Sequence, residues 1–190
     1  MAGYNPWYSA TYEPIFEMAN WDDFALDIEK KFVCIFAWMP RTIMNIPHSG
    51  RGQNQVTKAM VYDNNRVREK FRQVQPIASF FKGQSLLDID LEDPEVQDRV
   101  LDLCAPIFKV LGSVGGSKYL HFSFPELFPM WDSGLRKEKG CRDSPSEYLR
   151  YLRIVKRALT DGTTFQNAQK EYPSNVIRGL DIMWMKEMRK

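Results

Sequence analysis

Asp93-Pro94-Glu95-Val96-Gln97-Asp98-Arg99-Val100-Leu101-Asp102-Leu103-Cys104-Ala105-Pro106-Ile107-Phe108-Lys109-Val110-Leu111 reads as a helix from its first residue. Asp93 supplies an N-cap, Pro94 a proline at N1 and Glu95 an acid in the first turn. Val96, Val100, Leu103, Ile107 and Leu111 then recur in steps of three and four, the spacing of one helix face. Pro106 lies inside that stripe and is expected to kink or split it, because it has no N–H to give the preceding turn.

Outward from this run the pattern stays helical. Trp21, Phe24, Ala25, Ile28, Phe32, Ile35 and Phe36 form a second stripe. Ser144-Pro145-Ser146-Glu147 is a capping box that opens Tyr148, Leu149, Leu152, Val155 and Leu159. Pro173 opens a last stripe through Val176, Ile177, Leu180, Met183 and Trp184, and weaker helical signals run from Gln53 to Phe81. No pair of alternating β-branched runs joined by a tight turn occurs. The expected fold is all-α, a single multi-helix domain over 1–190. Its N-terminal helical lobe covers 1–100, and a hairpin-bearing basic lobe covers 101–190. Two loops interrupt it, one at 45–54 carrying His48 and Arg51, the other within 111–140.

The 190 residues are 44% apolar, 26% charged and 13% aromatic, which excludes disorder and fibrous repeats. No apolar run approaches the roughly 20 residues of a bilayer span, and the start lacks a secretory signal pattern, so a cytoplasmic protein with no membrane contact is expected. Cys34, Cys104 and Cys141 are odd in number and widely spread, which excludes a disulfide framework and a four-cysteine cluster. Two histidines without ligand spacing argue against a metal site, and no cofactor motif occurs. Charge is uneven: residues 1–100 hold 11 Lys and Arg against 14 Asp and Glu, and residues 101–190 hold 15 against 10. Arg136, Lys137, Lys139, Arg142, Arg150, Arg153, Lys156 and Arg157 carry much of the excess. They read either as a face for a polyanion or as solvated helix surface.

The most informative stretch follows the quoted helix. Gly112-Ser113-Val114-Gly115-Gly116-Ser117-Lys118 lets the backbone turn tightly and approach a ligand, and the next helix points free N–H groups into the turn. An ordinary glycine-capped corner fits the same residues. Then come Tyr119, the buried-looking His121, and Pro125-Glu126-Leu127-Phe128-Pro129-Met130-Trp131-Asp132. Asp132 stands where a new helix begins, either as its N-cap or as a carboxylate acting in an aromatic, water-poor pocket, and the two roles are compatible.

This order of features resembles the helix-hairpin-helix DNA glycosylase superfamily, with Leu111-Gly112-Ser113-Val114-Gly115 in the place of its hairpin and Pro129-Met130-Trp131-Asp132 in the place of its aspartate segment. The resemblance covers roughly a fifth of the chain and implies a glycosylase-like fold without the iron–sulfur cluster. It implies a monomeric, monofunctional enzyme that flips a damaged or modified base out of DNA and hydrolyses its N-glycosidic bond. A phage-type modified cytosine, hence a defence role, is one such substrate by analogy. Asp132 would be the catalytic carboxylate. Lys118 would be a second catalytic group, although it lies one place beyond the lyase lysine of the family, which favours the water route. Trp131, Tyr119, His48 and Arg51 would contact the base, with Tyr4, Trp7, Tyr8 and Tyr12 as further aromatic walls. Gly112, Val114, Gly115, Gly116, Ser117 and Arg136 would hold the DNA backbone. The alternatives are a non-catalytic DNA-binding module and a helical protein-interaction domain.

Overall fold

A computed structural model describes residues 10–38 and 64–188. It has eight helices among them and no strand. In chain order they are α1 (Tyr12–Met18), α2 (Ile28–Trp38), α3 (Asn64–Phe80), α4 (Pro94–Ser123), α5 (Ser133–Glu138), α6 (Pro145–Thr160), α7 (Gly162–Glu171) and α8 (Val176–Glu187). The all-α expectation holds. Buried apolar residues from Tyr12 to Trp184 form one contiguous cluster, with α4 at its centre packed against α2, α3 and α6.

The caps behave as their residue types dictate. Asp93 accepts from Glu95 N at 2.8 Å. Only half of the Ser144 box forms: Ser144 Oγ accepts from Glu147 N at 3.3 Å, while the Glu147 carboxylate turns to Arg142 N and to Arg150. Pro106 does not break α4. The carbonyl it leaves unpaired belongs to exposed Asp102, on the wet side of the helix where water takes its place. The break falls at Gly112, with φ +70° and ψ 166°, a backbone region that only glycine occupies at low cost. The helix resumes at once, so the first part of the segment expected as a loop, from Leu111 to Ser123, is helical.

By length and composition α4 also reaches the size of a bilayer span. An 18-residue window has mean hydropathy 1.3, and 61% of that window is buried inside the fold.

The stripe from Trp21 to Phe36 is not one helix. Residues 20–27 lie outside any helix, with turns and bends from 22 to 27 and Asp27 at φ +50°, and α2 starts at Ile28. Trp21 and Phe24 are buried all the same. The loop is stapled from inside by Lys31, whose fully buried ammonium donates to the Asp23 and Phe24 carbonyls, and by the Tyr119 hydroxyl, which donates to Phe24 O at 2.5 Å. Burial lowers the Lys31 amine to about 8.

The final helix starts at Val176, capped by Asn175, rather than at Pro173, and α7 carried no recognisable stripe. The α7 and α8 backbones touch at Gly179, where a Cβ would overlap the Ala168 carbonyl. Gly179→Ala is therefore expected to cost about 2 kcal/mol or more of unfolding free energy, since neither backbone can give way. Gly162→Ala, with open space around it, is expected to be neutral or to stabilise by about 0.5 kcal/mol. Urea unfolding of the two variants separates these outcomes.

Candidate functional site

Between α4 and α5 the chain runs from Phe124 to Asp132 without regular structure, yet Leu127, Phe128, Pro129, Met130 and Trp131 are buried. Buried carbonyls need donors, and here side chains and loop N–H groups from around the fold supply them. Asn175 Nδ2 donates to Pro125 O at 3.0 Å, and Leu86 N to Glu126 O at 2.8 Å. His121 Nδ1 donates to Phe128 O at 2.8 Å. The Tyr148 hydroxyl donates to Pro129 O at 2.7 Å, and the Tyr151 hydroxyl to Met130 O at 3.4 Å. Trp131 N in turn donates to Ser117 Oγ at 2.9 Å, whose own hydroxyl donates to Val114 O at 3.0 Å. This strap ends at Asp132.

Asp132 is half-buried and caps α5, its Oδ1 accepting from Gly134 N at 2.8 Å. Four residues on, Arg136 donates to Ser113 Oγ at 2.9 Å, pairs with Asp143 at 2.9 Å and lies over the Trp131 ring at 5.6 Å. The last turn of α5 is thus tied directly to the residue after the Gly112 break. Lys118, on the second half of α4, is buried with its amine 4.6 Å from the Trp38 ring centroid. Burial lowers that amine to about 8, against the opposing pull of Asp132 and Asp181. The structure therefore brings together Asp132, Lys118, Ser117, Arg136 and the Gly112 break.

Other expected site residues fall elsewhere. Tyr119 is a core residue, its ring among Phe24, Phe32 and Phe71 and its hydroxyl spent on the residue 20–27 loop. Trp131 has no exposed surface and stacks on Tyr151 at 6.0 Å and 25°. Neither ring is presented for base stacking. Gly115 and Gly116 are buried in helix, and a Cβ at Gly116 would meet Phe108 at 2.5 Å. Gly116 serves close packing rather than approach to a strand, while Val114 is half-buried. Tyr12 is likewise core. His48, Arg51, Tyr4, Trp7 and Tyr8 lie outside the described residues.

The basic stretch is largely committed internally. Lys139 pairs with Glu138, Arg150 with Glu147 and the Gly140 carbonyl, Arg153 with Glu92 and the Leu91 carbonyl, and Lys156 with the Ile89 carbonyl. Lys109, Lys137, Arg142 and Arg157 are exposed and form no ion pair among the described residues.

Two residues of the site neighbourhood carried no weight in the sequence reading: Arg178 and Asp181, a buried ion pair one turn apart on α8. The signal was present, since both fall within the apolar stripe Val176–Trp184. A surface cleft of about 330 Å³, lined by Asp22, Asp23, Gln75, Lys82 and Phe124 among others, does not include Asp132. No group of three His, Cys, Asp or Glu suited to a metal ion occurs among the described residues.

Comparison of the chain with protein-family models, with curated proteins and with solved structures finds no match in any of the three.

His121 is fully buried, its Nδ1–H given to Phe128 O and its Nε2 accepting the Tyr12 hydroxyl at 2.5 Å. That pattern fixes one neutral tautomer. Burial lowers its pKa to about 3. The unfolded chain, near 6.5, binds the proton first, so His121 makes folding stability fall as pH drops from 6.5 towards 3. His121→Asn should flatten the decline in unfolding free energy between pH 6.5 and 4 by about 2 kcal/mol, measured by denaturant titration. An unchanged slope would assign the acid sensitivity to other groups.

Proposed function

We propose that the protein is a DNA glycosylase that hydrolyses the N-glycosidic bond of a damaged or modified base flipped out of DNA, with Asp132 as its carboxylate. The observation that carries this reading is the placement of Asp132: half-buried, held by the cap bond from Gly134 N, at the end of a strap anchored on Ser117, and joined through Arg136 to the glycine break in α4.

The chemistry needs a fixed anion. As the base departs, positive charge builds on the sugar, and a carboxylate beside C1′ stabilises it and orients the attacking water. A cap bond to one oxygen of Asp132 holds the group while leaving the other oxygen for that role. Lys118 is a cation behind the site rather than the nucleophile, which keeps the reaction on the water route. The corner at Gly112, which is exposed, is where a backbone phosphate would approach α4. With Arg136 spent on Ser113 and Asp143, the exposed cations left for phosphates are Lys109, Lys137, Arg142 and Arg157.

The internal commitment of Lys139, Arg150, Arg153 and Lys156 favours a second reading, a helical protein-interaction domain without DNA affinity. One experiment separates the two. DNAs carrying different base modifications are incubated with the protein, and free bases and abasic sites are counted by mass spectrometry. Wild-type protein should release one class of base. Asp132→Asn, which keeps the cap, should retain the fold and DNA binding while release falls about a thousandfold. Equal release by the variant removes Asp132 from the mechanism, and no release by wild type on any substrate favours the interaction domain.

A further inference from the structure

Charges of opposite sign line the cleft beside residues 20–27 without closing on each other. The cleft holds about 330 Å³, at the small end of the ~300–1,000 Å³ of small-molecule sites. The loop contributes the Asp22 and Asp23 carboxylates to its lining. From α3 and the turn after it come Gln75 and the Lys82 ammonium. Asp22 and Lys82 are exposed, and neither they nor Asp23 form an ion pair among the described residues. Phe24 and Phe124 add an aromatic lining, their rings stacked 5.8 Å apart at 21°.

The loop is fixed from behind. Lys31 Nζ donates to the Asp23 and Phe24 carbonyls, and the Tyr119 hydroxyl also donates to Phe24 O. These carbonyls are thus bonded inside the protein, while the residues that carry them line the cleft. Asp23 Oδ1 accepts from Ala25 N at 3.2 Å and from Leu26 N at 3.1 Å, which holds that carboxylate in place. Across from the loop, Gln75 Oε1 is buried and has no donor among the described residues. Such an acceptor is costly to leave unused.

We propose that this cleft binds a small zwitterion, a free α-amino acid with an apolar side chain. Its ammonium would lie toward Asp22 and Asp23, its carboxylate toward Lys82 and its side chain against Phe124. A cation alone would leave Lys82 unanswered, and an anion alone would face two carboxylates, so a molecule carrying both charges complements the lining best. An ammonium has three donors, and Gln75 has an unused acceptor to give one of them by turning its amide into the cleft. Asp132 is not in the lining, so this site stands apart from the glycosylase reading.

The test titrates the full chain by isothermal calorimetry with free leucine, methionine, phenylalanine, tyrosine and tryptophan. At least one should bind saturably. The amide of that amino acid, which lacks the carboxylate, and its N-acetyl form, which lacks the ammonium, should each bind about tenfold more weakly. Asp22→Asn and Lys82→Gln, at exposed positions where the fold is not at stake, should each weaken the amino acid by a similar factor. Lys82→Gln should also abolish the preference for the amino acid over its amide. Lys170→Gln, at an exposed position outside the cleft, should leave binding unchanged. Absence of saturable binding by all of these amino acids overturns the proposal. Binding that Asp22→Asn and Lys82→Gln leave intact, or that the amide and N-acetyl forms match, overturns it as well.

Discussion

A buried strap without secondary structure has to find donors for its carbonyls outside itself, and the segment from Phe124 to Asp132 meets that constraint with contacts from across the fold. Asn175 ahead of α8, Leu86 after α3, His121 on α4 and Tyr148 and Tyr151 on α6 each take a carbonyl. These bonds cannot form until α4, α6 and the cap of α8 are in place. The strap thus works as a tie-bar across the helices, and each bond lost would strand a buried polar group at about 1–3 kcal/mol. Asp132 inherits its position from this tie-bar. A catalytic or binding carboxylate held on such a support is pre-organised without any element of its own longer than the six residues of α5.

The helices were legible where local chemistry and burial agree. Asp93 and Ser144 cap where their side chains predict, and the stripe of α4 faces the core over its full length. Misreadings arose where tertiary contacts override local preference. Trp21 and Phe24 keep helical spacing but sit on a loop, because the Lys31 ammonium and the Tyr119 hydroxyl take the loop carbonyls and remove the need for helical bonds. Pro106 was a poorer guide than Gly112. A proline on the wet face costs one hydrogen bond that water replaces, whereas φ +70° with ψ 166° ends a helix outright. The α7 helix, with little apolar periodicity, is held by the contact of its backbone with Gly179, which no pattern within residues 162–171 announces.

The site was legible in part for the same reason. Asp132 could be read because an N-cap is a local event, with its acceptor two residues from its donor. Trp131 and Tyr119 could not be assigned, since an aromatic side chain has the same sequence signature lining a pocket or filling a core, and here both fill it. Arg178 and Asp181 were visible as charges within an apolar stripe. Arg178 meets the rings of Tyr12 and Trp38, which are distant in sequence and adjacent to it only in the fold.

The electrostatics around Asp132 follow from where the nearby cations are spent. Two unit charges 4 Å apart attract by about 4 kcal/mol at an effective dielectric of 20, enough to cancel most of the field an isolated carboxylate projects. Arg136 is one helical turn from Asp132 and is placed to do this, but Ser113 and Asp143 claim it. Arg178 is claimed by Asp181 and by two aromatic rings. Lys118 lies on Trp38. Among the described residues the Asp132 carboxylate accepts one backbone N–H, that of Gly134. On the proposed glycosylase reading, holding Arg136 on Ser113 and Asp143 leaves that carboxylate to the sugar.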